Sequence, residues 1–229
     1  PDIRRIGESV VSEFLWERGY SKIDYIVATH ADTDHIQGLA DVANNFKVNE
    51  ALIGPMPAGD PDNDELINVL ERQAIKTSYV AAGDSWNVGG VNIEVLFPPD
   101  DVAPAAGLSN NDSSIVLRIT YGQRMFLLTG DIESLAESAL TSREVDLSAD
   151  VVKVPHHGSR TSSTPRFVES VKPKIAVIPV GRRSPFGHPH RDVVGRWLAA
   201  GADVRTTGDK GTITISTDGS DLQVSTFRP

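Results

Sequence analysis

Between Thr29 and His35 the chain reads Thr-His-Ala-Asp-Thr-Asp-His, so four potential metal ligands, His30, Asp32, Asp34 and His35, fall in six positions directly after an apolar run at residues 23–28. Carboxylates held together repel one another, and two imidazoles gain nothing by sharing the spot. A divalent cation removes both penalties, because carboxylate oxygens and imidazole nitrogens are the donors that hold zinc, manganese or iron. His30, Asp32 and Asp34 are expected to project in similar directions from an extended turn, with His35 pointing the other way towards a second ion. The plainer alternative is a polar loop in which Asp34 caps the helix-like run 36–42. The density of ligands favours a metal site, and a dinuclear one.

Two further segments carry the same chemistry. The apolar run 126–131 ends in Gly130-Asp131, which presents one carboxylate at a strand terminus; alone, this is also an ordinary turn. The run 151–155 ends in His156 and His157, followed by Gly158 and Ser159. Sites in open α/β sheets gather at strand ends, so the three segments can converge. With two histidines from the first, one from the third and Asp131 able to bridge, two cations become feasible, as in two-metal hydrolases.

The elements that must position these residues alternate along the chain. Helical spacing predicts a helix over 7–18 with Val10, Val11, Phe14 and Leu15 on its apolar face, and further helices near 36–44, through Arg72, and over 134–140, 164–171 and 192–199. Strands are expected at 23–28, 50–54, 77–81, 91–97, 114–121, 125–129, 150–155 and 174–180. Gly122-Gln123 turns one hairpin, and a C-terminal hairpin pairs 212–216 with 223–227. The stretch 98–111 is the longest irregular one; long ordered loops in compact domains are often functional, which makes it a candidate wall of the site.

The 229 residues are enough for one α/β (α+β) domain spanning 1–229 with a large buried core. No run approaches the roughly 18 apolar residues of a membrane span. Cysteine is absent, which excludes disulfides, thiolate metal sites and cysteine nucleophiles. The net charge of −9 is unevenly spread: residues 1–150 hold 10 Lys and Arg against 25 Asp and Glu, whereas residues 151–205 hold 10 against 3. Such asymmetry can place a positive rim on an acidic protein; the alternative is scattered, solvated cations.

The order HxDxDH (30–35), TGD (129–131), PHHGS (155–159) and GHPH (187–190) resembles the metallo-β-lactamase superfamily, and more narrowly the DNA-uptake (competence) proteins of ComEC type. The resemblance runs from about residue 20 to residue 216. It implies a metallo-β-lactamase αββα sandwich with a dinuclear site at its edge, and hydrolysis of a phosphodiester. His30, Asp32, Asp34, His35, Asp131 and His157 match metal-ligand positions, with Asp131 bridging and Asp34 also a candidate catalytic carboxylate. His157 is chosen over His156 as the ligand because His-Gly-Ser fits the family's ending, which leaves His156 to line the site.

This sequence departs from the family pattern in three ways. Asp32 stands where the family usually has a second histidine, which hardens the site towards oxygen ligands and brings Mn²⁺ into contention beside Zn²⁺. No histidine lies between His35 and His156; the nearest polar substitute is the run Asn110 to Ser114. The strands that begin family members are not evident before Gly7, so the domain is expected to lack its first β-hairpin and to be a fragment of a larger membrane protein.

The resemblance therefore implies a metal-dependent nuclease with two divalent ions (Mn²⁺ or Zn²⁺). It would degrade one strand of incoming DNA while tethered to a membrane channel domain on the outer face of the cytoplasmic membrane. Lys153, Arg160 and His188 are candidates to add positive charge or protonate the leaving oxygen. Ser159 and Thr161, in a hydroxyl-rich loop, and Asn111, Ser114, Arg182, Arg183 and His190 are candidate substrate contacts. The competing functions are a small-molecule or cell-wall phosphodiesterase of phosphorylcholine-esterase type and a non-catalytic DNA-binding module.

Overall fold

The computed structural model describes residues 6–56, 59–100, 109–143 and 145–229. Residues 101–108, most of the candidate loop wall, lie outside the described residues. The chain divides into two compact units, residues 1–80 with 100–115 and residues 81–99 with 116–229. Among the described residues no helix is long and apolar enough to cross a membrane.

The first unit begins with a π-helical segment, Gly7–Ser12, that continues into α1 (Glu13–Glu17). The expected helix is present, but of its apolar face only Leu15 packs against the core. Val10, Val11 and Phe14 are exposed, whereas Gly7 and Ser12 are buried. The reason is a close approach: Gly7 meets the backbone of Gly38, and Ser12 Oγ donates to Gly7 O at 2.8 Å while accepting from Asn45 Nδ2 at 3.1 Å.

Strands β1 (Lys22–Ala28), β2 (Lys47–Ile53) and β3 (Lys76–Tyr79) form a parallel sheet in that order, joined through α2 (Thr33–Asn45) and α3 (Pro61–Arg72). Asp60 caps α3 by accepting from the N–H groups of Asp62 and Asn63, with Pro61 at the first helical position. Ile26, Ile36, Val42, Phe46, Ile53, Leu66 and Leu70 fill the core between these elements. Each such side chain contributes about 1.5–3 kcal/mol on burial.

The second unit is built on a seven-stranded sheet, ordered β10-β9-β8-β7-β6-β5-β4. Its strands are β4 (Ser85–Val88), β5 (Val91–Phe97), β6 (Val116–Tyr121), β7 (Arg124–Leu128), β8 (Val151–Lys153), β9 (Ile175–Ile178) and β10 (Asp203–Thr206). From β4 to β7 the neighbours are antiparallel; short turns at Gly89-Gly90 and Gly122-Gln123 join β4 to β5 and β6 to β7, while residues 98–115 lie between β5 and β6. From β7 to β10 they are parallel, with α4 (Ser134–Ser142), α5 (Pro165–Val171) and α6 (Arg191–Ala199) in the connections. A short α7 (Thr207–Lys210) leads to the hairpin β11 (Ile213–Thr217) and β12 (Leu222–Thr226). Parallel pairing gives β7, β8 and β9 a common C-terminal edge. Asp131, His156–His157 and the 187–190 segment all follow strand ends on that edge, as the strand-end argument requires.

One buried carboxylate organises the segment after β8. Glu137, on α4, is fully buried and accepts from the N–H of Ser163 at 2.5 Å and of Thr164 at 2.6 Å. Arg196 donates to the carbonyls of Ser162 and Ser163, and Trp197 Nε1 donates to Ser163 Oγ at 3.1 Å. Burial pushes the Glu137 carboxyl up to about 7, against the pull of those N–H donors and of Arg196.

A carboxyl whose folded value lies above its unfolded value of 4.5 favours the fold most below that value and loses the contribution as pH rises through about 7. The shift corresponds to roughly 3 kcal/mol. Thermal unfolding followed from pH 5 to pH 8 should therefore show wild type losing stability relative to Glu137→Gln, whose pH profile is flatter. Parallel profiles would remove this role of Glu137.

Candidate metal-ligand clusters

In the first unit the chain leaves β1 at Ala28 and enters α2 within five residues, so the ligand segment is shorter than the expected extended turn. Asp32, not Asp34, occupies the position preceding α2, and its carbonyl accepts from the N–H of His35 and Ile36. Asp34 and His35 therefore stand on the first helical turn. The rings of His30 and His35 face each other with centroids 4.2 Å apart, instead of pointing in opposite directions.

His30 is fully buried, and its Nδ1 is held by Thr29 Oγ1 at 2.9 Å and Ser114 Oγ at 3.1 Å. That turns Nε2 towards Asp32 Oδ2, 3.9 Å away. His35 Nε2 lies 3.7 Å from Asp34 Oδ2. Both separations exceed a hydrogen bond and suit two donors sharing a cation at about 2.0–2.2 Å from each.

The 110–114 segment holds His30 and Asp32 in place. Asn110 Nδ2 donates to Asp32 Oδ1 at 3.2 Å, and Ile115 N donates to Thr29 O at 3.0 Å. Ser114 is fully buried, and its hydroxyl holds the ring of His30, a candidate ligand. Asn111 lies in the 3-10 turn Asn111–Ser113, half-buried, with Oδ1 shielded from solvent.

In the second unit Asp131 is buried just past β7. Lys153 Nζ donates to its Oδ1 at 3.0 Å and to Gly130 O at 2.6 Å. His157 Nδ1 donates to the carbonyl of Pro179 at 2.7 Å, which fixes the ring proton there. His157 Nε2 lies 3.2 Å from Asp131 Oδ2. A carboxylate oxygen and a ring nitrogen at that separation share either a proton or a cation, and the pair has the donor chemistry to hold a divalent ion.

His156 and His157 both adopt left-handed backbone, with φ of 46° and 52°. Side-chain-bearing residues visit that region at a cost of about 1–3 kcal/mol each, and such strain clusters at functional sites. His156 does different work from its neighbour: its Nδ1 donates to Glu133 Oε1 at 3.1 Å, and its ring meets that of His188 edge-on at 5.6 Å. Thr161 Oγ1 also donates to Glu133 Oε1, at 2.5 Å. Glu133 is the residue that sequence reading missed; its one signal was a carboxylate two positions after Asp131. Burial, then the neighbouring His156 and His157, hold His188 below the ordinary imidazole range, with Asp131 pulling the other way.

The remaining expected contacts divide. Ser159 is buried, its hydroxyl paired with Thr161 Oγ1 at 2.9 Å, while Thr161 itself is exposed. His190 precedes α6 and takes Arg160 through Nε2, at 2.6 Å from Nη2, so it positions a cation instead of reaching outwards. The basic stretch 151–205 is not one rim. Lys153, Arg166, Lys174, Arg196 and Arg205 are tied to Asp131, Thr141 O, Asp150, Ser163 O and Asp203 respectively. Arg182 and Arg183 are exposed side by side after β9.

Comparison with known proteins gives a consistent family. A sequence profile described as the metallo-beta-lactamase superfamily matches residues 4–182. ComE operon protein 3 of Bacillus subtilis is 31% identical over 210 residues, covering 91% of this chain and 26% of that protein. Recombination protein 2 of Haemophilus influenzae is 27% identical over 194 residues, covering 85% and 22%. Competence protein ComA of Neisseria gonorrhoeae is 29% identical over 196 residues, covering 85% and 25%. The chain thus spans about a quarter of the length of these relatives. Among solved structures, a metallo hydrolase of the archaeon Ignicoccus hospitalis matches with a TM-score of 0.54 at 14% identity, over 96% of this chain and 86% of that one. The metallo-beta-lactamase fold protein YhfI of Bacillus subtilis matches at 0.53 and 12%, over 96% and 85%. At such identities the structural likeness speaks to the fold alone.

If Asp131 and His157 hold a cation, that cation binds the folded state and stabilises it by mass action. Mn²⁺ at about a hundredfold excess over its Kd should add about 2.7 kcal/mol, a rise of roughly 5–10 °C in Tm. The rise should be lost in Asp131→Asn and His157→Ala and retained in Glu133→Gln. An equal rise in all three variants would place the cation elsewhere.

Proposed function

This chain belongs to the metallo-β-lactamase superfamily and has its α/β fold, and from that premise we propose that it is a metal-dependent phosphodiesterase that hydrolyses DNA. Its ligands would be His30, Asp32, Asp34, His35, Asp131 and His157, together holding two divalent ions. The observation that carries the metal part is the 3.2 Å approach of Asp131 Oδ2 to His157 Nε2, a spacing at which a carboxylate and an imidazole can share one cation. Support for DNA comes from the competence and recombination proteins among the relatives and from the exposed cations Arg182 and Arg183. By the same likeness, the domain would act in DNA uptake, joined to a membrane channel on the outer face of the cytoplasmic membrane.

Bound divalent ions supply an activated water and offset charge developing on the phosphoryl oxygens. The chain's own residues do the rest. Lys153 fixes the Asp131 carboxylate through Oδ1. Glu133 accepts a hydrogen bond from Nδ1–H of His156, which leaves Nε2 as the atom that exchanges protons. His188 beside it is held in the uncharged form at neutral pH, so it relays a proton without adding fixed charge. Arg160, steered by His190, and the pair Arg182–Arg183 supply phosphate contacts, which position a strand without reading its sequence.

Labelled single-stranded DNA should be degraded with Mn²⁺ faster than with Zn²⁺, because Asp32 adds a hard oxygen donor. Asp32→His should move the preference towards Zn²⁺. Hydrolysis of p-nitrophenyl-phosphorylcholine without DNA degradation would favour the small-substrate function instead; neither reaction with any metal would leave only a binding module.

Substitutions should sort by role. Asp131→Ala and His35→Ala should abolish turnover while the chain stays folded, and Ser114→Ala, acting through His30, should reduce it by about 10–100-fold. Near-normal turnover in either ligand variant would reject the assignment.

DNA affinity should fall steeply with salt. Changing Arg182 and Arg183 together to alanine should flatten the slope of log K against log salt by about 1.4, at roughly 0.7 per phosphate for single strands. An unaltered slope would mean that these arginines do not meet the backbone.

A further inference from the structure

The loop between β9 and α6 exposes one large apolar side chain among its charges. Phe186 has 79% of its surface open to solvent, four residues after Arg182 and two before His188. Single exposed apolar residues are ordinary on protein surfaces. Three features set this one apart.

The loop is pinned at both ends. At its start, Thr207 Oγ1 accepts from Val180 N at 2.8 Å and donates to Val180 O at 2.9 Å, and the Arg182 backbone packs on Gly208 where a side chain would meet it at 3.1 Å. At its end, His190 N donates to Gly158 O at 2.9 Å, and Pro189 fills the space that a Cβ on Gly158 would need. The tip is itself a closed turn: Gly187 N donates to Ser184 O at 3.2 Å, and Phe186 N to Ser184 Oγ at 3.3 Å. A ring displayed on such a loop loses little freedom when a ligand covers it.

Phe186 is also the outermost of a series of rings. Its centroid lies 5.9 Å from that of His188 with the planes tilted by 32°, and His188 lies 5.6 Å from His156, next in sequence to the proposed ligand His157. Finally, Arg182 and Arg183 on the same loop are exposed cations of the kind that track a phosphate backbone. An exposed aromatic platform flanked by cations is the arrangement that holds single strands, because every base has a π face and every linkage a phosphate. A duplex offers no unstacked base to such a ring.

We propose that Phe186 is a base-stacking platform that makes single-stranded nucleic acid the preferred substrate, with Arg182 and Arg183 holding the adjoining phosphates. This rests on DNA being the substrate and deepens that reading by naming the strand state and the residue that selects it.

The test measures binding of the whole chain to a fluorescent oligothymidylate and to an abasic strand of the same length, by anisotropy at low salt in EDTA so that nothing is cleaved. Base–aromatic stacking measured by alanine substitution implies about a tenfold loss per base. Phe186→Ala should weaken oligothymidylate binding by about that factor, leave the abasic strand unchanged and leave the salt slope unchanged. Phe186→Trp should restore the preference for bases, and Phe186→Leu, apolar but not aromatic, should not.

Leucine performing as well as phenylalanine, or alanine binding both strands as wild type does, overturns the stacking role while DNA as substrate stands. Failure of the wild type to bind either strand, or binding indifferent to the double arginine change, overturns the DNA reading and this inference with it.

Discussion

The second unit is arranged around a carboxylate and an imidazole held close enough to share a proton or a cation. Asp131 Oδ2 and His157 Nε2 face one another at 3.2 Å, and each is locked there by a partner on its far side, Lys153 on Oδ1 and the Pro179 carbonyl on Nδ1. Neither side chain can turn away without breaking its own hydrogen bond. The backbone makes the same commitment, since His156 and His157 take up left-handed conformations that most side chains avoid. Backbone strain and a close carboxylate–imidazole pair in one place are consistent with a centre built for a cation.

The surroundings read as means of holding that centre still. The turn carrying the histidines continues into the 159–164 segment, and Glu137, Arg196 and Trp197 grip that segment through its backbone and through Ser163. Thr161 returns to Glu133, which holds His156. In the first unit the same logic recurs on a smaller scale: Thr29 and Ser114 fix the His30 ring, and Asn110 fixes Asp32. Residues that resemble substrate contacts in sequence, Ser114 and Ser159, are buried and work on other residues instead.

The sequence disclosed most of the elements that carry the His and Asp clusters. The apolar runs before His30, Asp131 and His156 are strands, as their patterning implies, and β5 runs over the residues its pattern predicts. The short, weakly apolar β4 and β10 and the four-residue α7 were not legible, because each is too brief for a periodic signal and is defined by its neighbours in the sheet or turn. The burial of the first helix was misread because a glycine contact, which has no hydrophobic signature, chose the face. Glu133 was invisible for a related reason: its partners His156 and Thr161 lie more than twenty residues away in sequence. The charge asymmetry was real in composition, yet six of the ten cations answer internal acceptors, so net charge over a segment overstated the positive surface.

The central claim is that divalent ions held by these ligands carry the hydrolysis of DNA. Titrating metal-stripped protein with Mn²⁺, while bound metal and cleavage of a labelled single strand are followed in the same samples, tests it most directly. The account predicts no cleavage in the stripped protein and turnover that rises with occupancy until about two ions are bound per chain, the stoichiometry of a two-metal site. Cleavage that is already complete without metal, or full occupancy without any cleavage, would contradict it.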